Sequence, residues 1–555
     1  MATFNDGQLV TPKGADQYQE RAMAENKRMR ELVEKLRERR ADVVQMGGEE
    51  RVARQHDRGK LDVRQRIAYL FDEESFREFG QHAFFHSNSQ PVPKEKVRTP
   101  ADGVVCGFGK IRGRMAVCAA YDFTVLGGSI GDVGELKVTR AREFALKNRV
   151  PMIWLIDSAG ARVHGGSGID GDQITLFANT GYLFREQVIM SGVVPQVAAM
   201  LGPGAAGTAY IPGLADFVPM VDGTSFMALG GPPLVKAAVG EDIDEQALGG
   251  ARVHNEASGV ADQIYKSDED CLDAIKDYLS YMPQHCEGRP PVAEVAPDEA
   301  REPGGELCEG LLDVLPESSR RAYDMRKLVG AVVDEGSMFE MKPKFARNIV
   351  TAFARMGGQP VGVVANNPKY LGGILENDAA DKAARFINLC NSFNIPLIFF
   401  QDVPGFIIGS KVEKAGIIRH GAKMLFEVAS ATVPKLTVIV RKAYGAGYYV
   451  MCGRAYEPDL IVAWPTAEIS VMGPEGMVSI FARKMLDSAP DAEEVKAQMV
   501  EAIRPYIDIY KVAGRGLIDE VIDPRETRDY LLAGLELARE KRVERPYRKS
   551  GVRPV

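Results

Sequence analysis

Residues 152–162 read MIWLIDSAGAR, and 245 positions later residues 397–407 read LIFFQDVPGFI. In both stretches an apolar run of strand type ends in an aspartate, which a turn of small residues follows. Three more landmarks recur in the same order: LGG at 126–128 and 371–373, also 245 apart; GAAG at 204–207 and YGAG at 444–447, 240 apart; and GGP at 230–232 with MGP at 472–474. Four landmarks in one order predict two duplicated halves.

Each predicted half alternates short β-rich runs with amphipathic stretches such as 135–147 and 379–392. This alternation predicts an α/β fold built from β-β-α units. The segment 289–305 is rich in Pro, Glu and Gly and is the natural linker. The domain division that follows is a charged helical arm over 1–72, expected to be solvated, a first domain over 73–295, a linker over 296–320, a second domain over 321–530 and a tail over 531–555.

The composition limits the classes of function. The chain has 555 residues, of which 45% are hydrophobic and 26% charged, as in soluble enzymes of several domains. A formal charge of −7 argues against nucleic acid as the main partner. Seven cysteines without a C-x-x-C pair argue against a metal site and favour a reduced, cytoplasmic location. No apolar run reaches the roughly 18 to 20 residues of a membrane span, so the unusual feature is the number of glycines, 56.

Two familiar glycine motifs occur, and neither explains the repeat. Gly202-x-Gly204-x-x-Gly207 matches a dinucleotide-binding fingerprint, but that fingerprint normally opens its domain and this one lies deep within it. Gly127-x-Ser129-x-Gly131 matches a hydrolase nucleophile elbow, but Ile374 stands at the equivalent position in the second half. The recurring element is therefore glycine itself.

Small-residue turns at the ends of strands leave main-chain N–H groups unobstructed, so that two of them can hold one oxygen that gains negative charge. Each half offers two such turns, around Ala161 and Gly207 in the first and around Phe406 and Gly447 in the second. This pattern predicts an oxyanion hole in each half. The alternative is that small residues only allow tight packing of helix on sheet. The seven histidines show no triad spacing and indicate no side-chain base.

With these turns the sequence resembles the carboxyltransferase (β) subunits of biotin-dependent acyl-CoA carboxylases, which are built from two tandem crotonase-like superhelical domains. The resemblance covers residues 50–525. Its markers are QHDRGKL at 55–61, GGSIG at 127–131, DSAGAR at 157–162, GGARVH at 249–254, DVPGF at 402–406, GIIRHG at 416–421, RKAYG at 441–445 and WPTAE at 464–468.

The resemblance implies that the first half binds acyl-CoA, with the N–H groups of Ala161 and Gly207 on the thioester oxygen as an enolate forms. The second half would bind carboxybiotin, with the N–H groups of Phe406 and Gly447 on the ureido oxygen, and the freed ureido nitrogen would remove the substrate proton. The other candidate residues are Ala206 and Ala446 beside the holes, Gly127, Gly128, Gly160, Arg162 and Tyr449 for acyl-CoA, and Gly372, Gly373, Gly405 and Tyr448 for biotin. Arg162 and the basic arm before Lys60 are the candidates for the CoA phosphates.

The sequence contains no ATP-grasp pattern and no biotinyl-lysine site. The resemblance therefore implies that biotin is carried by a partner, the biotin carboxylase and biotin carrier (α) subunit, and that this chain forms a homo-oligomer, usually a hexamer. Ala206 stands where many members have Gly, and Tyr449 at a position associated with acyl-chain selection, so the acyl group stays open. Two alternatives also stay open: the α subunit of a biotin-dependent glutaconyl- or methylmalonyl-CoA decarboxylase, and a non-catalytic scaffold subunit.

Overall fold

The computed structural model describes residues 4–5, 8–9, 15–84, 99–162, 178, 182–318 and 321–554, with side chains from residue 27 onward. A short hairpin of β1 (Phe4–Asn5) and β2 (Gln8–Leu9) comes first. The remaining strands form two eight-stranded sheets, one in each predicted half.

The first sheet has the strand order β3-β4-β5-β6-β7-β8-β10, with β9 paired beside β7. The pairs from β3 to β5 are antiparallel and the others are parallel. Its strands are β3 (Arg77–Phe79), β4 (Val104–Ile111), β5 (Arg114–Tyr121), β6 (Met152–Ser158), β7 (Gln196–Ala205), β8 (Pro219–Val221), β9 (Phe226–Ala228) and β10 (Gln263–Tyr265).

The second sheet repeats this topology in the order β11-β12-β13-β14-β15-β16-β18, with β17 beside β15. Even the irregularities recur, because the register shifts between Ile156 and Ser158 in β6 and between Gln401 and Val403 in β14. The predicted duplicated α/β fold is confirmed. The strands are β11 (Phe339–Met341), β12 (Ile349–Met356), β13 (Gln359–Asn366), β14 (Leu397–Val403), β15 (Lys435–Tyr444), β16 (Leu460–Ala463), β17 (Glu468–Ser470) and β18 (Glu520–Val521).

Helices cover the sheets and connect their strands. The helices at Asp132–Asn148 and Asn377–Ser392 each follow an LGG turn and occupy equivalent places in the two halves. Within the described ranges no helix is both long and apolar enough to cross a lipid bilayer. The other helices are Ala15–Val43, Glu49–Asp57, Val63–Leu70, Tyr182–Met190, Gly207–Leu214, Pro232–Val239, Glu245–Gly249, Asp268–Tyr281, Glu306–Glu309, Met325–Val332, Ser410–Lys414, Ile417–Ser430, Gly445–Val450, Pro474–Phe481, Arg483–Ser488, Ala492–Ile507, Ile509–Ala513 and Thr527–Leu537, together with a π-helical turn at Val253–Ala257.

The predicted ends of the first and second domains differ from the structure. Val63, Ile67 and Leu70 of the supposedly solvated arm are buried in the core of the first sheet. The helix Thr527–Leu537 crosses the predicted boundary at 530, and its Gly534 lies so close to the sheet that a Cβ would stand 2.4 Å from Leu436 Cδ2. Both segments therefore pack against the folded core rather than lying in solvent.

The offset between the two halves also differs by one residue from the predicted value at strands β7 and β15. Met152 pairs with Gln196 in the first sheet and Leu397 with Lys435 in the second, so the strands β7 and β15 correspond at 239 positions rather than 240. Gly207 is therefore equivalent to Ala446, and not to Gly447 as the alignment of glycines suggested. The reason is that the turn needs a positive φ one residue earlier, which Ala206 adopts at 54° and Gly445 at 56°.

Candidate active site

The four small-residue turns follow the carboxyl ends of β6, β7, β14 and β15. The two strands of each half are parallel neighbours, with Ser158 paired to Gly204 and Val403 paired to Ala443 at their ends. Since carboxyl ends of adjacent parallel strands share one edge of a sheet, the two turns of each half lie side by side.

In the first half, Ile130 forms a bridge to Ala161. The Ile130 N–H donates to Gly160 O at 2.8 Å, and the Arg162 N–H donates to Ile130 O at 2.9 Å. The exposed Ala161 between them has no acceptor for its own N–H among the described residues. Gly207 begins a helix, so its N–H has no intrahelical acceptor either.

Gly160 joins the two turns of the first half. It has φ 95°, and a Cβ on it would stand 2.7 Å from Ala205 O. Next to it, the Ala206 N–H donates to Ala228 O at 3.0 Å, so this N–H belongs to the sheet and does not extend the predicted hole. In the described part of these two turns, the N–H groups of Ala161 and Gly207 have no protein acceptor, and we call this pair the first hole.

The second half repeats the arrangement around Phe406. Leu375 bridges to Phe406, the Leu375 N–H donates to Gly405 O at 3.0 Å, and the Ile407 N–H donates to Leu375 O at 2.8 Å. The helix Gly445–Val450 contributes its first turn, in which N–H groups lack intrahelical acceptors.

Two predicted N–H donors in the first turn of that helix, Ala446 and Gly447, differ in their exposure. Ala446 is exposed, whereas Gly447 is buried against Gly405, whose Cα would lie 3.2 Å from a Cβ on Gly447. Burial and register both favour Ala446 over Gly447 as the counterpart of Gly207. We call the N–H groups of Phe406 and Ala446 the second hole.

The glycines of the two LGG turns differ in how closely other atoms approach them. A Cβ on Gly128 would stand 2.3 Å from Asp157 O, and a Cβ on Gly373 would stand 2.7 Å from Asp402 O. These two glycines therefore let the turns pack on the strand ends. Gly372 is different, because a Cβ there would have no atom within 4 Å. Gly127 accepts a hydrogen bond from the Ala159 N–H at 2.8 Å and ties the LGG turn to the first hole.

The buried Asp157 anchors the strand end beneath the first hole. Its carboxylate accepts hydrogen bonds from Lys60 Nζ at 2.8 Å, Arg66 Nη1 at 2.8 Å and Gln55 Nε2 at 2.9 Å. Burial lowers the pKa of Lys60, and Asp157 opposes this shift. Lys60 is therefore not available to a CoA phosphate. Sequence reasoning missed this network, although the QHDRGKL motif contains two of its members, Gln55 and Lys60.

Asp402 has the same place in the second half. It accepts hydrogen bonds from Arg441 Nε at 3.0 Å, the Tyr323 hydroxyl at 2.9 Å and the Lys442 N–H at 3.2 Å. Burial raises the pKa of Asp402, which Arg441 opposes. Both holes thus rest on a buried, cation-paired aspartate at the end of a central strand.

The structure contradicts the assignment of Arg162 to the CoA phosphates. Its side chain is 1% exposed, and Nη1 lies 2.6 Å from Asp102 Oδ1. The guanidinium also donates to Ser129, through Nη2 to the carbonyl at 2.9 Å and through Nε to Oγ at 3.2 Å. The Oγ of Ser129, the residue of the elbow motif, is therefore a partner of Arg162.

The two tyrosines after the second hole have different surroundings. The Tyr448 hydroxyl accepts a hydrogen bond from the Arg454 N–H at 2.9 Å, and burial raises its pKa. Its ring covers Gly453, where a Cβ would stand 2.6 Å away. Tyr448 is thus held by the protein, whereas Tyr449 is 47% exposed and open to a ligand.

The histidines with described contacts bind structural partners. His56 contacts Asp62 at 3.1 Å, His420 contacts Asp381 at 2.8 Å, and His254 contacts Met227 O at 2.8 Å. Burial lowers the pKa of His254 and favours its neutral form. The chemistry that the described site offers is the stabilisation of negative charge by main-chain N–H groups.

Comparisons with known proteins identify the family of the chain. Residues 54–553 match the family described as carboxyl transferase domain. The propionyl-CoA carboxylase carboxyltransferase subunit of Haloferax mediterranei is 42% identical over 528 residues, which cover 95% of this chain and 100% of that protein. The methylmalonyl-CoA decarboxylase subunit alpha of Veillonella parvula is 41% identical over 527 residues, covering 95% and 99%.

A solved structure shares the fold. The crystal structure of the transcarboxylase 12S hexamer with methylmalonyl-coenzyme A and methylmalonic acid bound has a TM-score of 0.86 and 40% sequence identity. The match covers 94% of this chain and 98% of that one.

Proposed function

The chain belongs to the carboxyl transferase family, and from this premise we propose that it moves a carboxyl group between biotin and a short-chain acyl-CoA on two backbone oxyanion holes. The observation that carries the proposal is the repeated bridge, Ile130 to Ala161 and Leu375 to Phe406. In both halves it leaves a main-chain N–H without a described acceptor beside the first turn of a helix.

The first hole acts on the acyl-CoA. The N–H groups of Ala161 and Gly207 hold the thioester oxygen, which becomes negative when the neighbouring carbon loses its proton. A donor aimed at developing charge contributes about 3 to 4 kcal/mol to the transition state of acyl chemistry. Neither donor changes its protonation state, so the hole itself imposes no pH dependence on the reaction.

The second hole acts on biotin. The residues present fit such a group, because Ala446 is exposed and Gly372 leaves open space where a side chain would stand. Phe406 and Ala446 would hold the ureido oxygen, with Gly405 and Gly373 setting the turn. When bound, biotin supplies the activated carboxyl group and the nitrogen base that this chain's side chains do not provide.

The assembly follows from the same relatives. We propose a hexamer in which this chain works with a biotin-bearing partner subunit, and in which the two holes of one site come from different copies. The hexameric transcarboxylase 12S supports the proposal, because 98% of its chain aligns with this one. A non-catalytic scaffold would have no need to keep the same bridge beside a helix start in both halves, and this repetition supports a catalytic role.

The test is carboxyl transfer without ATP. The purified chain is mixed with a biotinylated carrier protein and methylmalonyl-CoA labelled in its free carboxyl group, and label on the carrier is measured. We expect label to appear on the carrier and to return to added propionyl-CoA. A carrier without biotin is the control. No transfer to the carrier from this compound or from the carboxylated forms of acetyl-, butyryl-, 3-methylcrotonyl- and geranyl-CoA would contradict the proposal.

The direction in the cell is a separate question, since a decarboxylase subunit is 41% identical to this chain. Transfer without ATP occurs in both cases. Identifying the partner that copurifies with the chain from its own cells separates them: an ATP-dependent biotin carboxylase supports a carboxylase, and a membrane carboxybiotin decarboxylase supports a decarboxylase.

A further inference from the structure

A buried ion pair lies directly behind the first hole. Arg162 follows Ala161 in the chain, and its Nη1 is 2.6 Å from Asp102 Oδ1, with side-chain exposures of 1% and 0%. Charged groups are rarely buried so completely unless they are paired. Each of the two charges therefore depends on the other, and the pair fixes the position of both side chains.

Arg162 clamps the segment that bridges to Ala161. Its main-chain N–H donates to Ile130 O, and its guanidinium donates to the carbonyl and hydroxyl of Ser129. Gly131 leaves room for the guanidinium, because a Cβ there would stand 2.4 Å from Nη1. Three consecutive residues, 129–131, are thus held to the residue next to the hole.

Asp102 is itself held in a strained loop. Ala101 and Asp102 have φ values of 53° and 51°, which non-glycine residues seldom adopt. Lys137 Nζ donates to Ala101 O at 2.7 Å, and Asp102 Oδ2 accepts the Gly134 N–H at 2.7 Å near the start of the following helix. Such strain is maintained where the surrounding structure fixes it, often at functional sites.

The second half forms the same bridge without this pair. The positions 245 residues later are Arg347 and Ile407. Arg347 is exposed and lies 4.3 Å from the centre of the Tyr370 ring, and Ile407 keeps only the main-chain hydrogen bond to Leu375 O. The carbonyl equivalent to that of Ser129 is Ile374 O, and it accepts a hydrogen bond from the neutral amide of Asn348 at 2.7 Å. The fold therefore holds this segment in both halves but uses a buried ion pair only in the first.

We propose that Arg162 and Asp102 are positioning residues that fix the Ala161 N–H against the acyl-CoA oxygen. The inference rests on the proposed function and deepens it. The pair holds the donor rigidly while charge develops on the oxygen, and it does not touch the CoA phosphates. A misplacement of about 1 Å costs about 100-fold in rate.

The experiment removes the ion pair from the first half. The double variant Asp102→Asn with Arg162→Ile removes both charges and leaves no unpaired ion. We expect kcat for carboxyl transfer to fall about 100-fold, with KM for acyl-CoA within about threefold. The same loss is expected with an acyl-pantetheine thioester, which lacks the nucleotide. The control is Arg140→Met. It removes an exposed arginine that pairs with Glu143 in the same helix, and it should keep the original kcat.

Other outcomes overturn the inference. A raised KM for acyl-CoA alone, without change for the pantetheine thioester, would show that Arg162 binds the nucleotide. An unchanged kcat would show that the pair has no role in the site. If the double variant does not form the folded oligomer, Arg162→Lys is tested instead, because lysine keeps a positive charge beside Asp102. A normal melting temperature with a reduced kcat in this variant supports the positioning role. A normal kcat contradicts it. An unaltered chain that is inactive on every acyl-CoA would instead refute the proposed function.

Discussion

Gly160 provides a quantitative test of how the first hole is built. A Cβ on Gly160 would stand 2.7 Å from Ala205 O, whereas ordinary contacts begin at 3.4 Å, so Gly160→Ala must separate the two turns by about 0.7 Å. The φ of 95° adds about 1 to 2 kcal/mol of strain for a residue with a Cβ, and overpacking adds about 1 to 3 kcal/mol. Since about 1 Å of misplacement costs about 100-fold, we expect kcat to fall about 10- to 100-fold.

The matched control is Gly223→Ala in the turn between β8 and β9. Gly223 also has a positive φ, 79°, but a Cβ there meets nothing within 4 Å. It should therefore show the conformational cost of about 1 to 2 kcal/mol without a loss of kcat. Carboxyl-transfer kinetics and thermal melting of both variants provide the comparison. A Gly160→Ala enzyme as active as the control would refute the claim that close approach of these turns forms the hole.

Three further predictions concern stability, each measured as thermal melting at fixed protein concentration. Ala206→Gly should raise the free energy of unfolding by about 1 kcal/mol, because Ala206 has φ 54° and ψ −119°, a conformation suited to glycine; a lower melting temperature would contradict this. Asp157→Asn should lower it by about 3 to 5 kcal/mol, because Lys60 and Arg66 lose their shared buried carboxylate, and an unchanged melting temperature would refute the anchoring role. Burial raises the pKa of Asp216 to about 7, so the folded state loses stability as the pH rises from about 4 through 7. Asp216→Asn should then melt above the original protein at pH 8 and together with it at pH 4, and equal melting temperatures at both pH values would contradict this.

The duplicated fold and the small-residue turns at its strand ends could be predicted because their signals are local. An apolar run that ends in Asp157 or Asp402, followed by a small-residue turn, specifies a strand end wherever it occurs in the chain. The two copies in one sequence then exclude coincidence.

The rest depended on contacts between distant residues. The arm looked solvated because Lys60 and Arg66 are charged, and their buried partner Asp157 lies more than 90 positions away. Arg162 looked like a phosphate ligand for the same reason, since Asp102 is 60 positions away. The one-residue error at the second hole arose because an alanine at positive φ, Ala206, does not look like the equivalent of a glycine, Gly445.

The central claim is that a main-chain N–H of Gly207 stabilises the reacting oxygen. Gly207 is the first residue of its helix, where the N–H has no intrahelical acceptor, so Gly207→Pro deletes the N–H without removing a hydrogen bond of the helix. Gly207→Ala keeps the N–H, and its Cβ would meet Phe184 at an ordinary 3.6 Å.

The deciding measurement is kcat for carboxyl transfer in these two variants as intact oligomers. We expect Gly207→Ala to lose at most about tenfold and Gly207→Pro to lose about 100- to 1,000-fold. Equal activity in the two variants would contradict the account, because the N–H would then contribute nothing to the reaction.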